Sequence, residues 1–231
     1  MLIWSDLRQS GYPRAPLSGP EVQDFRDQSR SIRAVAAVFA ASGTLTGEGD
    51  PEQIRVGLVT ANFFDVLSAS ASSGRTFLPA EEGPGVTPTI VLSWELWQRR
   101  FAGDPAVVGR HIQVNDRPTL VVGIMPRDFS LVMPADTSVA DGIQAWAPIP
   151  SRLAAGSRSA YYLFVIGRLA PGAALASAQQ EIERLGTEIA SQHAEYAGVG
   201  RRFYATGLHE DTVRDARPLC SRCLRAPGLC C

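Results

Sequence analysis

The most constraining feature of the sequence is an apolar strand followed directly by an amphipathic helix near its carboxyl end. Tyr161–Leu169 is mostly apolar, which is typical of a strand covered on both faces, and Pro171 and Gly172 then turn the chain. The helix after this turn carries apolar residues at steps of 3, 4, 3 and 4, namely Leu175, Ala178, Ile182, Leu185 and Ile189. Such a strand and helix must bury their apolar sides, and packing them as two layers is the usual solution. The fold class is predicted to be α+β.

Similar patterns occur earlier in the chain. Ser18 and Glu21 have the spacing of a capping box and precede a predicted helix over Pro20–Ala37. Alternating apolar residues predict a strand over Gln53–Val59, and a last strand is predicted over Arg202–Leu208. These outer pieces therefore resemble each other in composition and element type.

The middle of the chain has a different character. A strand is predicted over Thr89–Leu92, followed by a helix that Ser93 caps. Asn115 and Asp116 separate two apolar runs and favour a tight hairpin, because both residue types tolerate positive φ angles. The aromatic residues of this helix are interpreted as core rather than as a stacking platform; they are Trp94, Trp97 and Phe101.

This order predicts a split domain over residues 16–218. The outer subdomain comprises residues 16–60 and 149–210, and a smaller mixed α/β subdomain over residues 61–148 is inserted into it and contains the hairpin. The inserted subdomain is expected to have its own core and to pivot on its two connections. The outer core is predicted to contain Phe25, Val35, Ile54, Val56, Leu163, Val165, Ile182 and Leu185.

Composition excludes several classes of function. The net charge is −1, and all 22 basic residues are arginine. The chain therefore lacks the surplus of positive charge that is typical of nucleic-acid-binding proteins. A phosphate loop of the Walker type requires a lysine, which the chain lacks, and no nucleotide binding is expected. The longest uncharged stretch, Ala34–Gly47, has 14 residues, whereas a membrane helix needs about 20. The sequence as given therefore predicts no membrane span, and Asp6 interrupts any signal-like segment.

No catalytic, cofactor-binding or metal-binding residues are predicted. The histidines are His111, His193 and His209, which lie far apart in the sequence. They could form a zinc site only if the fold brought all three together. The acidic pair Glu81 and Glu82 lies in a segment rich in proline and glycine and is interpreted as a solvated loop. No protease or hydrolase motif accompanies these residues.

All four cysteines lie in an atypical tail over residues 219–231. Cys220 and Cys223 form a CxxC pair, which is compatible with zinc or redox chemistry, but Cys230 and Cys231 are adjacent and converge poorly on one ion. The alternative is a tail foreign to the domain, as a shifted reading frame would produce. Deletion of residues 220–231 is then expected to leave the thermal midpoint nearly unchanged.

Several ordered stretches together resemble a known family, the MacB-like periplasmic core domain of ABC transporter permeases, especially the large acidobacterial-type permease family. These stretches are Ser18–Val38, Glu52–Ser68, Gly74–Gly83, Ile90–Ser130 and Val165–Glu183.

The resemblance implies a split βαβ-type, porter-like subdomain with an inserted part, and a non-enzymatic role without cofactors. Such domains lie on the periplasmic side of the inner membrane, where they relay ATP-driven motion or contact substrate and partner proteins. The implied partners are the permease membrane helices, absent from this chain, a separate ABC ATPase subunit and a second permease copy. The chain is expected to be a permease fragment; the alternative is a stand-alone extracytoplasmic binding or adaptor domain.

Overall fold

The structure is a computed structural model that describes residues 1–8, 11–47, 49–140, 142–196 and 200–214. The predicted cysteine-rich tail, residues 219–231, lies outside this part of the chain. The strands are β1 (Leu2–Leu7), β2 (Tyr12–Ala15), β3 (Ile32–Thr46), β4 (Glu52–Val59), β5 (Ser73–Gly74), β6 (Thr89–Leu92), β7 (His111–Val114), β8 (Arg117–Ile124), β9 (Ala145–Pro148), β10 (Phe164–Leu169) and β11 (Arg202–Thr206). The α-helices are α1 (Gly19–Gln28), α2 (Phe63–Leu67), α3 (Trp94–Phe101), α4 (Ser151–Ala154), α5 (Leu175–Gln192) and α6 (Leu208–Thr212).

The described strands form one mixed sheet. Its order is β11-β1-β10-β3-β4-β9-β6-β8-β5, with β2 paired to β1, and with β7 paired to both β3 and β8. The pairs β4–β9 and β6–β8 are parallel, whereas the neighbouring pairs from β11 to β4 are antiparallel. With its helices α1 and α5 this mixed sheet confirms the predicted α+β class.

The predicted first helix is confirmed at its start and wrong in its second half. Ser18 caps α1, and the Glu21 side chain accepts a hydrogen bond from the Ser18 amide at 2.7 Å. The helix ends at Gln28, residues 29–31 form a turn, and the residues from Ile32 onward form the start of β3. Consecutive residues from Val35 to Val38 are buried because this strand is covered on both faces, and such a run satisfies helical spacing by accident.

Most of the other predicted elements are confirmed. The predicted strand over Gln53–Val59 is β4, and the predicted hairpin is formed by β7 and β8. Asn115 and Asp116 have φ angles of 52° and 58°, as the turn requires. Ser93 caps α3 by accepting a hydrogen bond from the Leu96 amide at 3.1 Å.

The first strand was not foreseen from the sequence. β1 lies between β10 and β11 and pairs with both of them, and its residues Leu2, Ile3 and Trp4 are buried. The predicted domain start at residue 16 leaves this strand out.

The core is continuous on one face of the sheet and divided on the other. One cluster runs along the first face and includes Trp4, Val38, Phe64 and Trp146. The opposite face carries two clusters. One lies under α1 and α5; the other lies under α3, and the half-buried Leu58 packs against both.

The predicted common core of the outer pieces is wrong for two residues. Ile54 and Val56 pack in the cluster under α3, whereas Ile182 packs in the cluster under α1 and α5 with the other five residues of the predicted set. The reason is the length of β3, whose first half pairs with β10 and whose last residues pair with β7. The β3–β4 hairpin thus belongs to both parts, and a continuous sheet joins them rather than two pivoting connections.

Candidate interaction site

The sheet forks at β3. One edge of this strand pairs with β4 from Val38 to Leu45. The other edge pairs with β10 as far as Val38 and with β7 from Leu45 onward. Near the second branch, the Thr44 amide donates to Asn115 Oδ1 at 2.8 Å, and the Asn115 amide donates to the Thr44 carbonyl at 2.9 Å. Between Val38 and Thr44 this edge of β3 has no neighbouring strand within the described part of the chain.

The backbone groups exposed at the fork follow from the hydrogen-bond pattern. Residues of an antiparallel strand direct their amide and carbonyl groups to its two edges in alternation. The Thr60 amide donates to the Ala37 carbonyl at 3.0 Å, so the backbone groups of odd-numbered residues in β3 point toward β4. Those of even-numbered residues such as Thr44 point toward the other edge. Ala40 and Ser42 therefore direct their amide and carbonyl groups into the fork. Among the residues described, no group bonds to them.

A cavity of about 410 Å³ lies beside the fork, on the face of the sheet where the core is divided. Its apolar walls include Val56, Leu58 and Ile90, and the loop around Pro84 and Val86 also lines it. The polar residues on its walls are Ser42, Glu81, Glu82, Thr89, Asn115, Arg117 and Thr119.

Both acidic residues of the cavity wall accept hydrogen bonds from other groups of the protein. Glu81 accepts hydrogen bonds from both terminal nitrogens of Arg75 at 2.9 Å and from the Leu78 amide at 2.6 Å. Burial alone would raise the pKa of Glu81, but these hydrogen bonds and the Arg75 charge hold it below its usual range. Glu82 accepts from the Ala61 amide. The interpretation of this pair as a solvated loop is therefore wrong, since both carboxylates anchor the loop.

A second polar cluster lies in the core under α1. Glu21 and Arg201 are fully buried and form an ion pair at 2.8 Å, and the Tyr196 hydroxyl donates to Glu21 at 2.6 Å. Sequence reasoning identified the capping role of Glu21 but missed Arg201, because nothing local in the sequence links two residues so far apart. All three groups face each other inside the core, so the cluster fastens α1 to the start of β11.

The histidines are not brought together. His111 begins β7, His193 follows α5, and His209 lies in α6. Within the described ranges no three histidine, cysteine or acidic side chains are grouped to hold a metal ion. Phe101 of α3 is buried as predicted, whereas Trp94 and Trp97 are half-buried and stack edge to face with ring centroids 4.7 Å apart.

The helices of the described residues include none long and apolar enough to cross a membrane.

Two solved structures have a fold similar to that of this chain. The chain is similar to the periplasmic region of MacB from Actinobacillus actinomycetemcomitans, with 13% identity, a TM-score of 0.61, and coverage of 98% of this chain and 93% of the other. It is also similar to the extracellular domain of the ABC-type transporter YknZ from Gram-positive bacteria, with 13% identity, a TM-score of 0.58, and coverage of 90% and 99%. At these identities the likeness shows the fold. A comparison with curated proteins finds no match.

The family is shown by a separate comparison. The model of the MacB-like periplasmic core domain matches residues 2–185, which include β1 and extend through most of α5. The chain therefore belongs to the family of MacB-like periplasmic core domains of ABC transporter permeases.

Proposed function

We propose that this chain is a non-catalytic periplasmic domain that relays motion between permease membrane helices and the periplasm and contacts substrate or partner proteins there. Its family is one of transporter domains and is not a known enzyme class. The proposal requires the membrane helices of the permease and a separate ABC ATPase subunit, and a second permease copy is a further candidate partner.

The position of the two ends of the domain supports this role. β1 and β11 are antiparallel neighbours, and Leu2 at the start of β1 lies opposite Thr206 at the end of β11. Both ends thus meet at one edge of the sheet. A domain inserted between two membrane segments needs this arrangement, because both segments must be reached from the same side.

The continuous sheet is the observation that carries the proposal. Hydrogen-bonded strands extend from β11 to the hairpin of β7 and β8, and one core cluster runs along a whole face. Well-packed interiors transmit displacement instead of absorbing it. Motion applied at β1 and β11 is therefore carried to the far end of the domain.

The junction between β4 and β9 offers a direct test. Gly57 lies under the Trp146 ring, and a Cβ atom at this position would come within 2.9 Å of Trp146 Cδ1. In the complete permease, Gly57→Ala should displace this ring, destabilise the domain by about 1–3 kcal/mol and reduce transport, while basal ATP hydrolysis by the ATPase subunit continues. Gln53→Ala on the same strand is the matched control, because Gln53 is exposed. Transport that is unchanged despite a displaced Trp146 ring would contradict the relay.

A further inference from the structure

We propose that the fork in the sheet binds an extended peptide segment, which adds to the open edge of β3 and places one apolar side chain in the adjacent cavity. This inference rests on the proposed function and specifies the chemistry of the substrate or partner that the domain contacts.

The first observation is the set of unpaired backbone groups. Ala40 and Ser42 direct two amides and two carbonyls into the fork, and no described residue bonds to them. Ser42 is exposed, so the edge is open to a ligand. Alternating donors and acceptors along a strand edge are what an extended peptide pairs with in strand addition.

The second observation is the space available. The stretch of β3 from Val38 to Thr44 corresponds to about 20 Å, roughly the length of five or six extended residues. β10 and β7 bound the stretch at its two ends. The site therefore admits a short segment rather than a long strand, and the segment must leave the sheet at both ends.

The third observation concerns side chains. Residues directly opposite one another in a pair of strands point to the same face of the sheet. Ala41 and Val56 are paired, and both line the 410 Å³ cavity. A residue of the added peptide that lies beside Ala41 would point to the same face and enter this cavity. The walls there are largely apolar, and the carboxylate of Glu81 is already paired with Arg75, so an uncharged apolar side chain fits best.

The experiment uses the full chain and a series of capped pentapeptides, acetyl-Thr-Val-X-Val-Thr-amide, with glycine, alanine, valine, leucine or phenylalanine at X. Amide hydrogen exchange is followed by NMR. In the free protein the amides of Ala40 and Ser42 should exchange faster than those of Phe39 and Ala41, which face β4. Saturating peptide should slow the exchange of Ala40 and Ser42 at least tenfold, with an apolar X binding more tightly than glycine.

Two controls isolate the backbone contact. Ser42→Pro removes the outward amide without removing a bond to β4, and it should weaken binding about tenfold or more, whereas Ser42→Ala should not. Peptides that are N-methylated on both sides of X should bind correspondingly weakly to the parent chain.

Two results would overturn the proposal. One is the absence of protection at Ala40 and Ser42 with every peptide at about 1 mM, the weak end of specific binding. The other is binding that neither Ser42→Pro nor N-methylation changes, which would show that the cavity takes an apolar group alone. Neither result affects the relay, because the Gly57→Ala test measures transport with no peptide added.

Discussion

Arg201 has its guanidinium carbon 3.8 Å from the centre of the Tyr161 ring and 5.0 Å from that of Phe203, in addition to its ion pair with Glu21. Its Nε and Nη1 atoms are buried without a protein partner among the described residues. Aromatic faces attract a guanidinium group and compensate part of its lost hydration. The stability of the start of α1 therefore depends on a residue near the other end of the chain.

Removing this arginine should be costly. Arg201→Ala leaves the Glu21 carboxylate buried without its counter-charge, and we expect the free energy of unfolding to fall by about 3–5 kcal/mol. Urea denaturation of the full chain measures the loss. Arg202→Ala is the control, because Arg202 is exposed and surface changes stay within about 0.5 kcal/mol. Equal effects of the two substitutions would show that the buried ion pair does not stabilise the fold.

The elements that the sequence predicted well are those with a one-sided pattern. α5 has an apolar stripe and a polar face, and β4 alternates, so each pattern indicates both the element and its buried side. β3 was missed in its first half because it is buried on both faces, and periodicity then distinguishes poorly between strand and helix. The open edge at Ala40 and Ser42 has no sequence signal, since it depends on where β10 and β7 end.

At the level of elements, Glu181 joins α5 to the turn before β3. Its side chain accepts hydrogen bonds from the Arg30 amide at 2.9 Å and the Ser31 amide at 2.8 Å. Burial alone would raise the pKa of Glu181, but the Ser31 hydroxyl and these two amides hold it below the ordinary value of 4.5.

The sign of this shift sets a pH dependence. A carboxyl group whose pKa is lowered by folding stabilises the folded state above its unfolded pKa, and it loses that effect as pH falls through its folded pKa. Glu181→Gln should therefore lower the free energy of unfolding by about 1 kcal/mol at neutral pH, since water screens this half-buried carboxylate, and by progressively less as the pH falls below 4.5. Glu183→Gln, on the exposed side of the same helix, is the control. A difference between Glu181→Gln and the parent that does not shrink in acid would rule out the carboxylate as its cause.

At the scale of the whole molecule, the predicted common core of the outer pieces is wrong for Ile54 and Val56, and the reason lies outside their own side chains. Ile54 and Ile182 have the same apolar character, and nothing in either side chain tells which core receives it. Their separation is set by β3, which is long enough to leave one cluster and enter the other. The position of β1 was missed for a similar reason, because one short strand acquires its place only through its neighbours β10 and β11.

Strand β1 should be essential for cooperative folding, although no strand is predicted there from the sequence. Among the described strands β11 pairs only with β1, so deletion of residues 1–8 would leave β11 without a strand partner and would leave the backbone groups of β10 that face β1 unpaired. It would also remove Trp4, whose indole nitrogen donates to the buried Asp211 at 2.8 Å. We expect loss of cooperative thermal unfolding, measured by circular dichroism.

Deletion of residues 220–231 is the control, since this tail lacks apolar periodicity and its removal is expected to leave the thermal midpoint nearly unchanged. A cooperative transition that persists without residues 1–8 would contradict the prediction. It would mean that the remaining strands fold without β1. The β3–β4 hairpin and its two neighbours, β10 and β9, would then stabilise the sheet without the pairing of β1 with β10 and β11.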